Sequence, residues 1–158
     1  MLLCVRKWTW GKAGMTVNSM TPQTARAAAA LEQELFSAPW READFLSSLT
    51  DENRLFLTCT DAGALIGYCG MQWAAEQADI LTIGVRPAFR RQGVGETLLR
   101  EVIAAGRARG IRLFFLEVRR SNLAAQRLYE KAGFRQNGCR KGYYQNPAED
   151  GLVYILEV

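Results

Sequence analysis

The run Val85-Arg86-Pro87-Ala88-Phe89-Arg90-Arg91-Gln92-Gly93-Val94-Gly95 joins a β-type stretch directly to the first turn of an amphipathic helix. Ala78 to Val85 before it is apolar and β-branched. After it, Val94, Leu98, Val102 and Ile103 share one helical face, and Gly110 stops the helix with Arg107 and Arg109 in its last turn, where cations suit the helix dipole. Strand Arg112 to Val118 follows, so the centre of the chain reads as α/β. Gly93 and Gly95 remove side chains where backbone approaches a ligand. The unpaired amides of the first helical turn point at that ligand, backed by the positive end of the helix dipole. Arg90 and Arg91 add mobile positive charge. Together these features read as a diphosphate cradle; a plain helix start with incidental glycines is the alternative. A dinucleotide-binding Rossmann turn fits less well, because the third glycine is missing and the arginines precede the loop.

The rest of the sequence supplies one domain with one core, at 158 residues and 49% hydrophobic. Residues 1–14 lack periodicity and are expected to be a disordered arm or a start-site extension, with the domain covering 15–158. Thr16 to Met20 reads as a strand. Thr21-Pro22 starts a helix, Thr as N-cap and Pro at the first helical position, with Ala25, Ala28, Leu31 and Leu35 as its apolar stripe. It ends before Ala38-Pro39, and a short helix spans about Arg41 to Leu49. Arg54 to Thr60 and Leu65 to Trp73 read as strands joined by a hairpin turn at Asp61-Ala62-Gly63. A helix from about Asn122 to Ala132 stops at Gly133. Two final strands, near Phe134 to Tyr144 and Leu152 to Val158, flank a polar loop from Gln145 to Gly151.

Histidine is absent. That excludes Ser-His-Asp and Cys-His nucleophiles and the usual histidine-bearing metal sites, so no metal is expected. Cys4, Cys59, Cys69 and Cys139 are widely spaced and read as buried free thiols. No stretch approaches the roughly 18 apolar residues of a membrane span, and Arg6 and Lys7 follow a short apolar start, the reverse of a secretory signal. A cytoplasmic protein is expected. Residues 21–85 hold nine Asp/Glu against three Lys/Arg, whereas residues 86–120 hold nine Arg against three Glu. Either these charges are a solvated surface, or a basic region meets an anionic ligand and an acidic region a cationic one.

Glu117 sits in the apolar strand Leu113-Phe114-Phe115-Leu116-Glu117-Val118, where desolvation makes a carboxylate a better base. A strand-end pair with Arg119 or Arg120 is the other reading. Tyr129 fits either a core position or a functional hydroxyl, and Asn122 fits an N-cap. Glu96 would repel a diphosphate unless it pairs with Arg100 at i,i+4 spacing, which is the expectation.

The Arg/Gln-x-x-Gly-x-Gly/Ala signature between strand and helix resembles the acetyl-CoA-binding motif of the GNAT superfamily of N-acetyltransferases, and the element order is similar over nearly all of residues 15–158. Leu116-Glu117-Val118-Arg119-Arg120-Ser121-Asn122, Leu128-Tyr129-Glu130-Lys131-Ala132-Gly133-Phe134, Arg140-Lys141-Gly142-Tyr143-Tyr144 and Ala38-Pro39-Trp40 resemble the RimI-like branch, bacterial ribosomal-protein alanine N-acetyltransferases. The resemblance implies a GNAT fold: a mixed central sheet with helices on both faces and a splayed pair of parallel strands, ending near Val85 and Val118, that holds acetyl-CoA. It implies direct acetyl transfer with Glu117 as base and Tyr129 as acid. The implied cofactor contacts are Ile83, Gly84, Val85, Arg90, Arg91, Gln92, Gly93, Val94, Gly95, Glu96 and Asn122. Trp40, Tyr143 and Tyr144 would wall the acceptor, although Trp40 fits buried packing equally well. The implied partner is a protein N-terminal tail, that of a basic ribosomal protein. A lysine or small-molecule amine is the alternative acceptor. From other classes come a CoA-sensing module and an RNA-binding module; the aromatics do not interleave with the arginines as base stacking requires, so nucleic acid is not expected.

Overall fold

The computed structural model describes Trp8–Thr9 and residues 14–158. Among these residues the chain runs β1 (Trp8–Thr9), β2 (Met15–Ser19), α1 (Pro22–Leu35), α2 (Glu42–Ser48), β3 (Arg54–Asp61), β4 (Ala64–Ala74), β5 (Gln77–Val85), a single 3-10 turn (Pro87–Phe89), α3 (Val94–Arg107), β6 (Leu113–Arg119), α4 (Leu123–Lys131), β7 (Arg135–Tyr144) and β8 (Glu149–Glu157). The strands form one mixed sheet in the order β1-β2-β3-β4-β5-β6-β8-β7. Among the described strands only β5 and β6 run parallel, as a strand–helix–strand crossover requires.

The predicted local signals explain most boundaries. Thr21 caps α1, its hydroxyl accepting from the Thr24 amide at 3.2 Å. Ala62 and Gly63, with φ of 48° and 83°, form the tight β3–β4 hairpin turn. Two expectations differ from the structure, one a boundary and one a burial. β8 begins at Glu149, inside the expected loop, because its first residues pair with β6 and β7 through Gly151 and Tyr144. Cys139 is exposed on β7, against the expectation of a buried thiol, whereas Cys59 and Cys69 are buried; Cys4 lies outside the described residues.

Each face of the sheet carries its own core. On one side α3 lays Val94, Leu98, Leu99 and Val102 against Leu57, Ile66, Cys69 and Met71. On the other, α1 and α2 bring Ala25, Ala28, Leu31 and Phe45 against Phe56, Leu65 and Tyr68. Neighbours such as Phe56 and Leu57 therefore serve opposite cores, as strand alternation demands.

Two irregularities shape the centre of the sheet. The β3–β4 register steps from Cys59↔Gly67 to Thr60↔Leu65, so Ile66 is an extra residue. The β4–β5 register steps from Gly70↔Thr82 to Met71↔Ile80, so Leu81 is another. A bulge bends its strand and sharpens the local twist. Pairing of β5 to β6 stops at Asp79↔Phe115, just before Leu81. Beyond that point the two strands part, which is the splay that the sequence resemblance implies.

The expected separate segment, residues 1–14, is described only at Trp8–Thr9 and Gly14, and its other residues lie outside the described ones. Trp8 and Thr9 pair with Val17 and Thr16. We propose that residues 1–14 are dispensable. Starting the chain at Met15 is expected to leave fold and turnover within about twofold of the parent, since the buried faces of β2 belong to Met15 and Val17. Circular dichroism and a rate assay check it; unfolding or a several-fold loss of rate overturns it.

Candidate active site

The glycine turn delivers unclaimed backbone donors to the mouth of the splay. Gly93 caps α3 in the left-handed conformation, φ 78° and ψ 10°, and offers no side-chain cap. The first helical bond runs from the Thr97 amide to the Gly93 carbonyl at 3.0 Å. Among the described residues, no well-formed backbone bond takes up the N–H groups of Arg91 through Glu96. Arg91 is itself left-handed at φ 59°, and successive amides in such a turn converge on an anion. A Cβ on Gly95 would make only ordinary contacts, 3.4 Å from Leu128 and 3.6 Å from Val85. Protein packing therefore does not demand glycine there, and its absent side chain leaves room for a ligand to approach the backbone. Arg90 and Gln92 are exposed, tethered to the Val85 and Ala88 carbonyls at 3.4 and 3.2 Å. The donor set fits a diphosphate.

Glu96 does not pair with Arg100. Its carboxylate meets Lys131 of α4 at 2.8 Å, while Arg100 turns to Glu101 at 3.8 Å. α4 passes beside the start of α3, so Lys131 reaches Glu96 and neutralises the carboxylate nearest the cradle.

Along the splay, Ile83, Gly84 and Val85 pair with β4 on one edge and, among the described residues, have no strand partner on the other. Gly84 is a glycine because a Cβ there would collide with the Tyr68 phenol. Across the gap, β6 alternates: Phe114, Leu116 and Val118 are buried, and Phe115, Glu117 and Arg119 look the other way. Glu117 pairs with neither of the arginines beside it. Its carboxylate meets Arg140 of β7 at 3.3 Å and is about a quarter exposed, at 26%.

Arg119 instead ties three segments together. It donates to Ser37 after α1 at 3.2 Å, to the Gln145 and Pro147 carbonyls at 2.9 and 3.0 Å, and to Glu149 at 3.3 Å. Its guanidinium also lies 4.5 Å from the Tyr144 ring centre. Tyr144 stacks edge-on with Tyr143 at 5.0 Å. Burial, then Tyr143 and Glu117, push the Tyr144 phenol up to about 12. Tyr129 is buried, and burial followed by Cys69 and Tyr144 pushes its phenol up as well, so it stays protonated throughout the working range. Tyr144 thus lies within electrostatic reach of both Glu117 and Tyr129. Among the described residues nothing hydrogen-bonds the Tyr129 hydroxyl, and it is not sealed from solvent.

Asn122 caps α4, its Oδ1 accepting from the Ala125 amide at 3.1 Å, which leaves its amide nitrogen free. Trp40 packs on Phe45 and Phe56 with ring centres 5.3 and 5.4 Å apart, so its indole serves the core. The acidic stretch is partly neutralised within itself: Arg26 meets Glu42, Arg41 meets Asp44 and Arg54 meets Asp51, at 3.2, 3.1 and 3.3 Å. One buried carboxyl, Glu32, escaped the sequence reading. Its signal was present, since it lies four residues beyond Ala28 on the apolar face of α1.

Residues 23–134 match the acetyltransferase (GNAT) family model. The chain belongs to the GNAT family. It is 35% identical over 145 residues to the [ribosomal protein bS18]-alanine N-acetyltransferase of Escherichia coli, covering 90% of this chain and 97% of that protein. It is 33% identical to the N-alpha-acetyltransferase RimI of Mycobacterium tuberculosis, covering 88% and 90%. The crystal structure of the Escherichia coli enzyme superposes with a TM-score of 0.83 over 91% of this chain and 94% of that one. This GNAT chain is therefore an N-acetyltransferase, and its fold is the mixed sheet that the sequence resemblance implies. None of the described helices is long and apolar enough to cross a membrane.

Gly93→Val places a β-branched side chain at φ 78° and in front of the donor amides. The affinity for acetyl-CoA is expected to fall about tenfold or more. Thermal shift or calorimetry reads the loss; a folded variant that binds as the parent does overturns the cradle.

Proposed function

We propose that this enzyme transfers the acetyl group of acetyl-CoA to a protein N-terminal α-amine, that of an alanine-starting ribosomal protein such as bS18, in the cytoplasm. The observation that carries the reading is the pair of relatives named for this kind of activity, matched over nearly their whole lengths. The geometry agrees with it. The amides of Arg91 to Glu96 hold the diphosphate, with Arg90, Arg91 and Gln92 at its rim and the Asn122 amide nitrogen alongside. The free edge of Ile83 to Val85 receives the pantetheine and orients the thioester carbonyl.

The amine nitrogen attacks that carbonyl and its proton passes to Glu117, directly or through water. Tyr129, held as a phenol by its burial, protonates the departing sulfur. Arg140 occupies Glu117 in the free enzyme, so the arriving ammonium competes with a guanidinium for that carboxylate. Tyr143 and Tyr144 line the acceptor side of the groove, and Trp40 fixes its far wall from within the core. An α-amine, with a pKa of about 7.7–8.0 against about 10.4 for lysine, gives a single carboxylate base less to overcome at neutral pH.

Glu117→Gln is expected to lower turnover by about 10²–10⁴-fold with acetyl-CoA affinity intact. Because the amine deprotonates as pH rises through about 8, the deficit should shrink toward alkaline pH. A rate profile over pH 6–9 checks this; unchanged turnover makes Glu117 structural.

A peptide panel tests the acceptor: alanine-starting basic, alanine-starting acidic, and N-blocked with internal lysines, with free polyamines alongside. The alanine-starting peptides are expected to react fastest, the basic one ahead at low salt. Faster turnover of the blocked lysine peptide or of polyamines overturns the α-amine assignment.

A further inference from the structure

Glu32 is a buried carboxyl with no base or acid task in the reaction described, and it bridges the α1–α2 loop to β4 and β5. Its side chain is 1% exposed, with no Lys or Arg in salt-bridge range among the described residues. Three donors from three segments converge on it. The Tyr68 hydroxyl on β4 and the Thr82 hydroxyl on β5 donate to Oε1 at 2.8 and 2.6 Å, and the Trp40 amide after α1 donates to Oε2 at 3.0 Å. Such a group costs desolvation, and an apolar side chain would fill the same place without that cost. What an apolar residue cannot supply is direction.

The placement of the donors gives that direction a use. Thr82 reaches α1 only because the Leu81 bulge shifts the strand phase and turns Leu81 and Thr82 toward the same core. It sits past Asp79, where β5 has lost its β6 neighbour and needs another anchor. Tyr68 covers Gly84 in the same strand end. Trp40 closes the loop that forms the acceptor wall.

We propose that Glu32 is a positioning residue that sets the acceptor wall at Trp40 against the thioester-holding end of β5. The inference rests on the assignment of Ile83–Val85 to acetyl-CoA and of the α1–α2 loop to the acceptor. Glu32 touches neither substrate. It acts through Thr82 and Tyr68 on one side and through the Trp40 amide on the other.

The test is a set of KM values measured on the full chain with acetyl-CoA and an alanine-starting basic peptide. The parent's own turnover on that peptide tests the function reading; variant-to-parent ratios test this one. Glu32→Leu is expected to raise both KM values about tenfold. Glu32→Gln, whose carbonyl and amide can still satisfy the amide and both hydroxyls, should stay within about threefold. Thr82→Val should raise the acetyl-CoA KM alone, and Thr82→Ser should restore it. In the Glu32→Leu background Thr82→Val should add nothing, because the two act as one unit. A folded Glu32→Leu variant with parental KM values overturns the proposal, as does identical behaviour of Thr82→Val and Thr82→Ser. If Glu32→Leu does not fold, the Thr82 pair alone decides.

Discussion

β5 holds β6 through only three residue pairs, Gln77↔Leu113, Ala78↔Phe114 and Asp79↔Phe115. Every other feature of the site follows from where that ladder stops. A strand edge without a partner must satisfy its N–H and C=O groups elsewhere. Here the free edge at Ile83–Val85 leads through a 3-10 turn to the N-terminus of α3, whose amides are equally unclaimed. The chain thus concentrates unsatisfied backbone donors along one line, and a ligand with a diphosphate at one end and amides along its length can satisfy them. The Leu81 bulge falls just past the last β5–β6 pair, and β4 stays paired with β5 on both sides of it.

The order of elements was legible because each has a local cause. Thr21 and Asn122 cap helices, Gly110 and Gly133 end them with φ of 84° and 97°, and the α1 stripe of Ala25, Ala28 and Leu31 faces the core. The glycine turn was legible for the same reason. What escaped was set by neighbours distant in sequence. Glu117 finds Arg140 and Glu96 finds Lys131 because β7 and α4 happen to pass there. The bulges at Ile66 and Leu81 are register effects between strands, invisible in either strand alone. Glu32 was readable as a charge on an apolar face, but its partners Tyr68 and Thr82 were not.

Segregation of charge along the sequence proved a blunter guide than its magnitude implied. The three arginines of the acidic stretch are each matched within it, and in the basic stretch Arg119 spends its guanidinium on two carbonyls, Ser37 and Glu149, while Arg86 gives its Nε to the Leu65 carbonyl. Arg90 and Arg91 remain exposed at the cradle. Local field at the ligand therefore depends on a few mobile arginines and on backbone dipoles that the fold holds in place.

β7 closes the sheet as its outermost strand beyond β8, and nearly all of its residues are exposed. An edge of this kind is a template on which another chain can add a strand. Its composition argues against that outcome. Arg135, Arg140 and Lys141 line it with one sign of charge, the register breaks between Arg140 and Tyr144, and Gly142 is left-handed at φ 62°. A second copy approaching edge to edge would meet like charge and an interrupted ladder. The outermost strand thus carries, in its own charge and its own irregularity, the features that work against its pairing with a second copy of itself.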